Sequence, residues 1–587
     1  MNSEWSLKEL YSGYDDPEFL ADIGRLEECV AEYIKMAGEL NRDQAAQSIH
    51  NQILASDAVT ELFYKLHSFC SLNESVNSAD KQAADYLEKI IKILQEQTKA
   101  SVTFEKFVAD VDDLEGVIAS DELLSEYAYL LMRIKEGAAH NLSEEAEEAV
   151  SKLSLSGASS WEKQRSYLTS MLKVDYNGEE LTLSAVRNLA YDKNQAVRKA
   201  AYEAELLSYA KVRDAAAFSL NNIKQQTLTM AKLRRYESPL EKTLWQSRMK
   251  QDTLTSMFTA MKEYFPKFWQ YLRRKGELLG HKNGLPWYDL FAPIGGSSRH
   301  FSAEQARDYL VSVFSGFAED LALMVKRAFD EAWIDFYPRK GKQGGAFCAD
   351  LYCVGQSRIL TNFDGTLSDV VTLAHELGHA YHNKQISGNR IGNTDYPMPV
   401  AETASTFNEN VVMDAAIAAA SKEERIGLIE SQLQDVTQII CDIYSRYLFE
   451  SAVISRKAEG FMFADELDQM MLDAQKEAYG NGLDTEYLHP SMWICKQHYY
   501  FAGLDFYNFP YAFGGVFARG LYAKYQEEGE AFLPEYRALL KATGTCSVED
   551  AAAMAGIDLS KPDFFRKSLK SYADRVDEFL KLTEGMR

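Results

Sequence analysis

Residues 375–379 read His-Glu-Leu-Gly-His. In a helix, His375 and His379 stand one turn apart and project from one face. Both imidazoles can then reach a single zinc ion at about 2.0–2.1 Å. Glu376 is offset in angle, which places it to exchange a proton with water at the ion rather than to bind the ion. The chemistry predicted is metal-assisted hydrolysis, with one zinc per chain.

Such a site needs a third protein ligand and an open position. His382 shares the helix face, but seven residues of 1.5 Å rise carry it about 10 Å from His375, too far to join both histidines on one tetrahedral ion. A second helix must donate. After Pro397-Met398-Pro399 the chain runs Val-Ala-Glu-Thr-Ala-Ser-Thr-Phe-Asn-Glu over residues 400–409. Glu402 lies far enough beyond His379 for the chain to turn and return, and is assigned as the third ligand. Glu409 falls two helical turns further on the same face and is assigned to orient a ligand imidazole. A third stretch, residues 498–515, is dense in Tyr and Phe and interrupted by glycines. Aromatic packing accounts for most such stretches, but His and Tyr are also neutral donors suited to an oxyanion.

The elements that must position these groups are mainly helical. Only Pro17 precedes Pro239, so more than two hundred residues lack the commonest helix breaker. Residues 80–108 place Ala83, Tyr86, Ile90, Ile91 and Leu94 at helical spacing, which predicts one buried face. Ser143 before Glu144 and Glu145 reads as an N-cap, and Gly157 as the stop. There are two β-prone exceptions. Asn177-Gly178 between residues 173–176 and 179–183 predicts a hairpin. Residues 346–363, behind Gly341, Gly344 and Gly345, predict a small sheet after a glycine loop. A helical N-terminal region is placed at 1–195, with the hairpin near 173–183, and a larger helical, catalytic region that carries the candidate zinc site at 196–587.

Composition narrows the partners. The 587 residues carry 63 Lys+Arg and 87 Asp+Glu, a formal net charge of −24, with no long basic cluster. Nucleic acid is therefore not expected. No apolar run approaches a membrane span of about 18 residues, the start lacks a secretory leader's pattern, and the seven cysteines form no CxxC pair. These features predict a cytoplasmic protein without a disulfide framework.

Taken in order, His375-Glu-Leu-Gly-His-Ala-Tyr-His382, then Glu402 to Glu409, then the His/Tyr/Gly segment, resemble the bacterial branch of the oligoendopeptidase F family. These zinc peptidases are related to thimet oligopeptidase and neurolysin. The opening residues 5–19, the hairpin with the following residues 192–204, and Gly345-Ala346-Phe347 before Thr361-Asn362-Phe363 share the likeness, which spans about 5–580. The resemblance implies an elongated, two-lobed helical body with a deep substrate channel and a small sheet beside the zinc helix. The edge of that sheet, with Gly345, Ala346 and Phe347, would pair with an extended peptide. His375, His379 and Glu402 match the family's zinc ligands and Glu376 its general base. His498 and Tyr511 match the groups that stabilise the transition state, Tyr511 only with one residue inserted after His498, so Tyr507 stays its rival. Ala404 stands where the thimet oligopeptidase branch has proline, in keeping with the bacterial branch.

The activity so implied is endopeptidase cleavage of short unfolded oligopeptides. A dipeptidyl carboxypeptidase is the alternative within enzymes, for which Arg519 could grip a terminal carboxylate. A non-catalytic helical peptide-binding protein with a structural zinc is the alternative outside them.

Overall fold

In a computed structural model of the chain, residues 2–295 and 299–586 are described. The molecule is 71% helical with only small sheets. Local signals in the sequence explain many of the element boundaries. Ser143 accepts a hydrogen bond from the Ala146 N–H and opens the helix Glu144–Ser156, which Gly157 ends. Asn177 and Gly178 both take positive φ, 55° and 85°, as a two-residue hairpin turn requires. They join β1 (Lys173–Tyr176) to β2 (Glu179–Thr182).

The periodic stretch 80–108 divides into two helices, Lys81–Gln95 and Thr98–Ala109. Its buried line runs through Ala83, Ile90 and Ile93, while Ile91 is exposed. Ile91 lies a full residue step, about 100°, from Ile90, so the two cannot share the centre of one narrow face.

Four apolar clusters hold the chain together. Two belong to the N-terminal helices, one built around Phe19, Leu26 and Phe69 and the other around Ile53, Phe104 and Leu131. A third spans the division placed at residue 195: Ala158, Val174 and Leu220 pack with Phe449, Trp493 and Tyr499. The largest runs from Leu244 to Phe579 and encloses the helices of the catalytic region.

The small sheet joins two of these bodies. β3 (Ile334–Asp335) pairs parallel with β5 (Gln356–Leu360), and β5 pairs antiparallel with β4 (Phe347–Leu351), giving the order β3-β5-β4. Alternate residues of a strand face opposite ways. Phe347, Ala349 and Leu351 accordingly pack on the N-terminal cluster, and Cys348 on the main core. The sequence reading of 346–363 located β4 and β5. It missed β3, which is only two residues long and recruited from 25 residues upstream. The glycine loop before β4 is tied to the N-terminal helices, with Gln343 N–H donating to the Ser75 carbonyl and Ser78 N–H to the Gly341 carbonyl, each at 2.8 Å.

Among the described residues no helix is long and apolar enough to cross a membrane. The seven cysteines are all unpaired.

Candidate metal centre and catalytic cleft

The helix Leu367–Ile386 carries the His-Glu-Leu-Gly-His pentad. Thr366 caps it, accepting from the Asp369 N–H, while the Asp369 carboxylate accepts from the Thr366 N–H. This reciprocal box satisfies otherwise orphaned amides and fixes where the helix starts. The chain returns through a short turn, Met398–Ala401, and then the helix Thr403–Ala419. Glu402 stands at the joint between them. The two helices cross at Gly378, where a Cβ atom would lie 2.5 Å from both the Ala404 carbonyl oxygen and Ser405 Cα. Glycine is required there because the backbones touch. That close approach brings the three groups together.

His375 Nε2 lies 3.2 Å from His379 Nε2 and 3.2 Å from Glu402 Oε2. His379 Nε2 lies 3.4 Å from the same oxygen. A tetrahedral ion with bonds of about 2.0–2.1 Å has ligands about 3.3–3.4 Å apart, so the triangle has the size such an ion requires. The donor chemistry fits as well. His375 Nδ1 is 2.6 Å from Glu409 Oε1. With the proton on that nitrogen, Nε2 is free to ligate a cation, and without one the two carboxylates favour a second proton there. Burial pulls the His375 pKa down, yet Glu402 and Glu409 outweigh it and raise it to about 10. Burial likewise pushes Glu402 up, and the two imidazoles overcome it, holding its carboxyl far below the usual range. The pocket is arranged to hold positive charge. Ser405 Oγ donates to Glu402 Oε2 at 2.7 Å and steadies it.

Glu376 is 5% exposed, and burial raises its pKa. It lines a cavity of about 650 Å³ together with His375, His379 and Glu402. Ala346 and Phe347 line the same cavity; Gly345 stands just outside it, its carbonyl accepting from Asn362 Nδ2. The opposite wall comes from the N-terminal helix Ala45–Val76 through Glu61, Tyr64 and His67. No spacing or motif pointed to these three, which lie some three hundred residues from the pentad. His382 takes no part: it is fully buried, paired with Thr543 Oγ1 at 2.9 Å and stacked on Tyr396.

His498, Tyr507 and Tyr511 form a cluster of their own, with ring centroids 4.9–6.0 Å apart. None of them lines the 650 Å³ cavity. They lie near Glu402, on which the helix Phe509–Glu528 packs through Gly514, whose added Cβ would lie 3.4 Å from Glu402 Cβ. Tyr511 is one turn before Gly514, on the same face. His498 Nδ1 lies 2.7 Å from Asn508 Oδ1, which fixes the ring and leaves Nε2 outward. Burial lowers the pKa of His498 and raises that of Tyr511, so both are neutral near pH 7. The preceding loop is anchored by Asp505, fully buried, which accepts from Lys224 at 3.0 Å and Thr227 at 2.9 Å. Arg519 is 2% exposed and already engaged with Asn410 and Ser571. It does not face the cleft.

A helical hydrolase cleft floored by a His-His-Glu group is the class of site that the geometry defines. Known proteins agree. Residues 188–571 match the sequence profile of Peptidase family M3, and residues 109–173 that of Oligopeptidase F. The chain belongs to peptidase family M3 and is a peptide hydrolase. It is 22% identical to the oligopeptidase PepF of Bacillus subtilis, over 98% of this chain and 87% of that one. It is 27% identical to the chromosomal oligoendopeptidase F of Lactococcus lactis subsp. cremoris, over 69% and 67%. Among solved structures, a putative peptidase from Chlamydophila abortus superposes with a TM-score of 0.87 at 20% identity, covering 99% of this chain and 98% of that one. The oligoendopeptidase-F from Enterococcus faecium gives 0.70 at 18%, covering 97% and 99%. These likenesses establish the fold.

Proposed function

We propose that the chain is a zinc-dependent endopeptidase that hydrolyses internal bonds of short, unfolded oligopeptides. The observation that carries this reading is the triangle of 3.2–3.4 Å between His375 Nε2, His379 Nε2 and Glu402 Oε2, with Glu376 on the same cavity wall. His375, His379 and Glu402 hold the ion. When bound, zinc supplies Lewis acidity that lowers the pKa of water and polarises a carbonyl. Glu409 accepts the His375 Nδ1 proton and so keeps the ligand nitrogen unprotonated and correctly turned. Glu376 takes a proton from the attacking water and returns it to the departing amine; a carboxyl whose pKa is raised by burial suits both duties. His498 and Tyr511, with Tyr507 as the alternative donor, supply neutral hydrogen bonds to the oxyanion.

The outer edge of β4 makes no backbone hydrogen bond to the rest of the chain among the described residues. An extended peptide laid along it, beside Gly345, Ala346 and Phe347, adds a strand, and its backbone is read without regard to sequence. Because the cavity has walls from both the N-terminal helices and the catalytic body, folded proteins are excluded. The unpaired cysteines support residence in a reducing cytoplasm. Arg519, the cation an exopeptidase would need, is unavailable. A mixed peptide library, digested with and without a chelator and read by mass spectrometry, tests the proposal. Internal cleavage, abolished by the chelator and restored by zinc, is expected. Cleavage confined to free C-termini, or unaffected by chelation, would refute it.

A further inference from the structure

The cleft has a second compartment that the reaction does not use. A cavity of about 620 Å³ lies beside the catalytic one, within the range of about 300–1,000 Å³ that ligand sites occupy. The two share a wall. In residues 391–396, Ile391 and Thr394 to Tyr396 face the catalytic cavity, while Gly392 and Asn393 face the second. Both are closed on the far side by N-terminal helices, the second through residues 105 and 129–141. The wall itself is pinned to the N-terminal helices, Asn393 Nδ2 donating to the Glu126 carbonyl at 2.9 Å, so the two are neighbours rather than one continuous channel, and a peptide would pass between them over the exposed rim at Asp395.

The two compartments have opposite charge. The catalytic cavity is lined by Glu61, Asp350 and Asp395 besides Glu376 and Glu402, with no Lys or Arg among its described lining. The second is lined by Arg133, Arg234, Lys242 and Arg248, and Glu105 is its one acid. In a chain of net charge −24 this is a local inversion. Not all four cations are equally committed. Arg234 is spent on Glu147, at 2.7 and 2.8 Å, and Arg248 reaches Asp395 at 3.4 Å. Lys242 donates to the Gly503 carbonyl at 2.8 Å.

Arg133 differs from them: it has no carboxylate partner among the described residues. Its guanidinium lies over the Trp245 ring, 3.7 Å from the centroid. One N–H donates to the Trp245 carbonyl at 2.8 Å. The stack fixes the plane of the fork and leaves its remaining donors for a carboxylate, which guanidinium grips bidentately. Trp245 and the stacked pair His140–Tyr236, with centroids 3.7 Å apart, give flat apolar walls to the residue that carries the anion.

We propose that this compartment is an extended subsite that receives a carboxylate of the bound oligopeptide, with Arg133 as its fork. The carboxylate is either the C-terminal group or an acidic side chain beyond the cleavage site. This rests on the oligopeptidase reading above, so the test separates the two. Four versions of one short peptide are compared: C-terminal acid or amide, each with Glu or Gln near that end. Turnover is followed on the zinc-loaded enzyme. Binding is followed separately on Glu376→Gln by the quench of tryptophan fluorescence, with Trp245→Phe assigning the signal.

The charged versions are expected to bind and react at least about tenfold better, through KM rather than kcat. Arg133→Gln is expected to erase that preference and leave the fully neutral peptide unchanged. An acid-over-amide difference assigns the C-terminus, and a Glu-over-Gln difference the side chain. Equal handling of all four peptides by the unmodified enzyme overturns the subsite. So does an Arg133→Gln loss that falls equally on charged and neutral peptides. Should Arg133→Gln fail to fold, Arg133→Lys, which keeps the charge but loses the planar fork, is expected to weaken the same preference. If no peptide is cleaved but binding still discriminates, the reaction is wrong and the subsite stands.

Discussion

The two compartments of the cleft are made in different ways. The catalytic one is assembled from side chains that compete for the same point. Two imidazole nitrogens and a carboxylate oxygen lie 3.2–3.4 Å apart, a spacing that a shared cation or protons must hold together. Its precision comes from two helices pressed together at a glycine and from the partners behind them, Glu409 and Ser405. The second compartment has no such convergence. Its cations are spread over several segments, with Arg133 resting on the Trp245 ring. The difference teaches that strict geometry is needed where bonds are made and broken, whereas recognition of a distant anion tolerates a looser frame.

This contrast can be broken or sharpened by experiment. His375→Ala should abolish metal binding and activity together, because two ligands cannot hold the ion; elemental analysis showing full zinc occupancy would remove the residue from the site. Glu376→Gln should keep the metal but lower kcat by about 10²–10⁴-fold, as measured by peptide turnover beside metal content. Gly378→Val should force the two ligand helices apart, costing about 1–3 kcal/mol in stability. A fall in melting temperature with loss of metal would be the sign, and unchanged melting would contradict the close crossing. Glu409→Gln should weaken zinc binding about 10–100-fold while the fold is retained, a change that chelator competition can read.

The smallest effect belongs to the boundary between the compartments. The ion pair of Arg248 with Asp395 is 3.4 Å long, and the Asp395 side chain is 86% exposed. Asp395→Asn should alter stability by less than about 1 kcal/mol. It should narrow the difference in charge preference between the two cavities, visible as a shift in KM for basic against acidic peptides. A large change in kcat for neutral peptides would mean that the two compartments are not separate.

Much of the fold could be read along the chain because its signals are local. Asn177-Gly178 encodes its hairpin through two residues that tolerate positive φ. Ser143 and Gly157 mark both ends of one helix. The assignment of Ile91 to the buried face failed because it lies about 100° round the same helix from Ile90. β3 went unseen because two residues carry no pattern. At the site, the pentad and the glutamates at 402 and 409 were legible from spacing alone. The position of His498, Tyr507 and Tyr511 near Glu402 but outside the cavity lining was not, since it depends on how the helix Phe509–Glu528 docks.

By itself, then, the sequence determined what one helical turn can enforce: two imidazoles on one face, a carboxylate set beside them, and a second pair of acids two turns apart. Helical geometry makes those relations nearly independent of context. Only the tertiary structure decided which distant chain segments meet. It set Glu61, Tyr64 and His67 opposite the pentad, buried Arg519 away from the cleft, and laid Arg133 on Trp245 across more than a hundred residues. Such contacts follow from the burial of apolar surface by whole helices, and no short spacing records them.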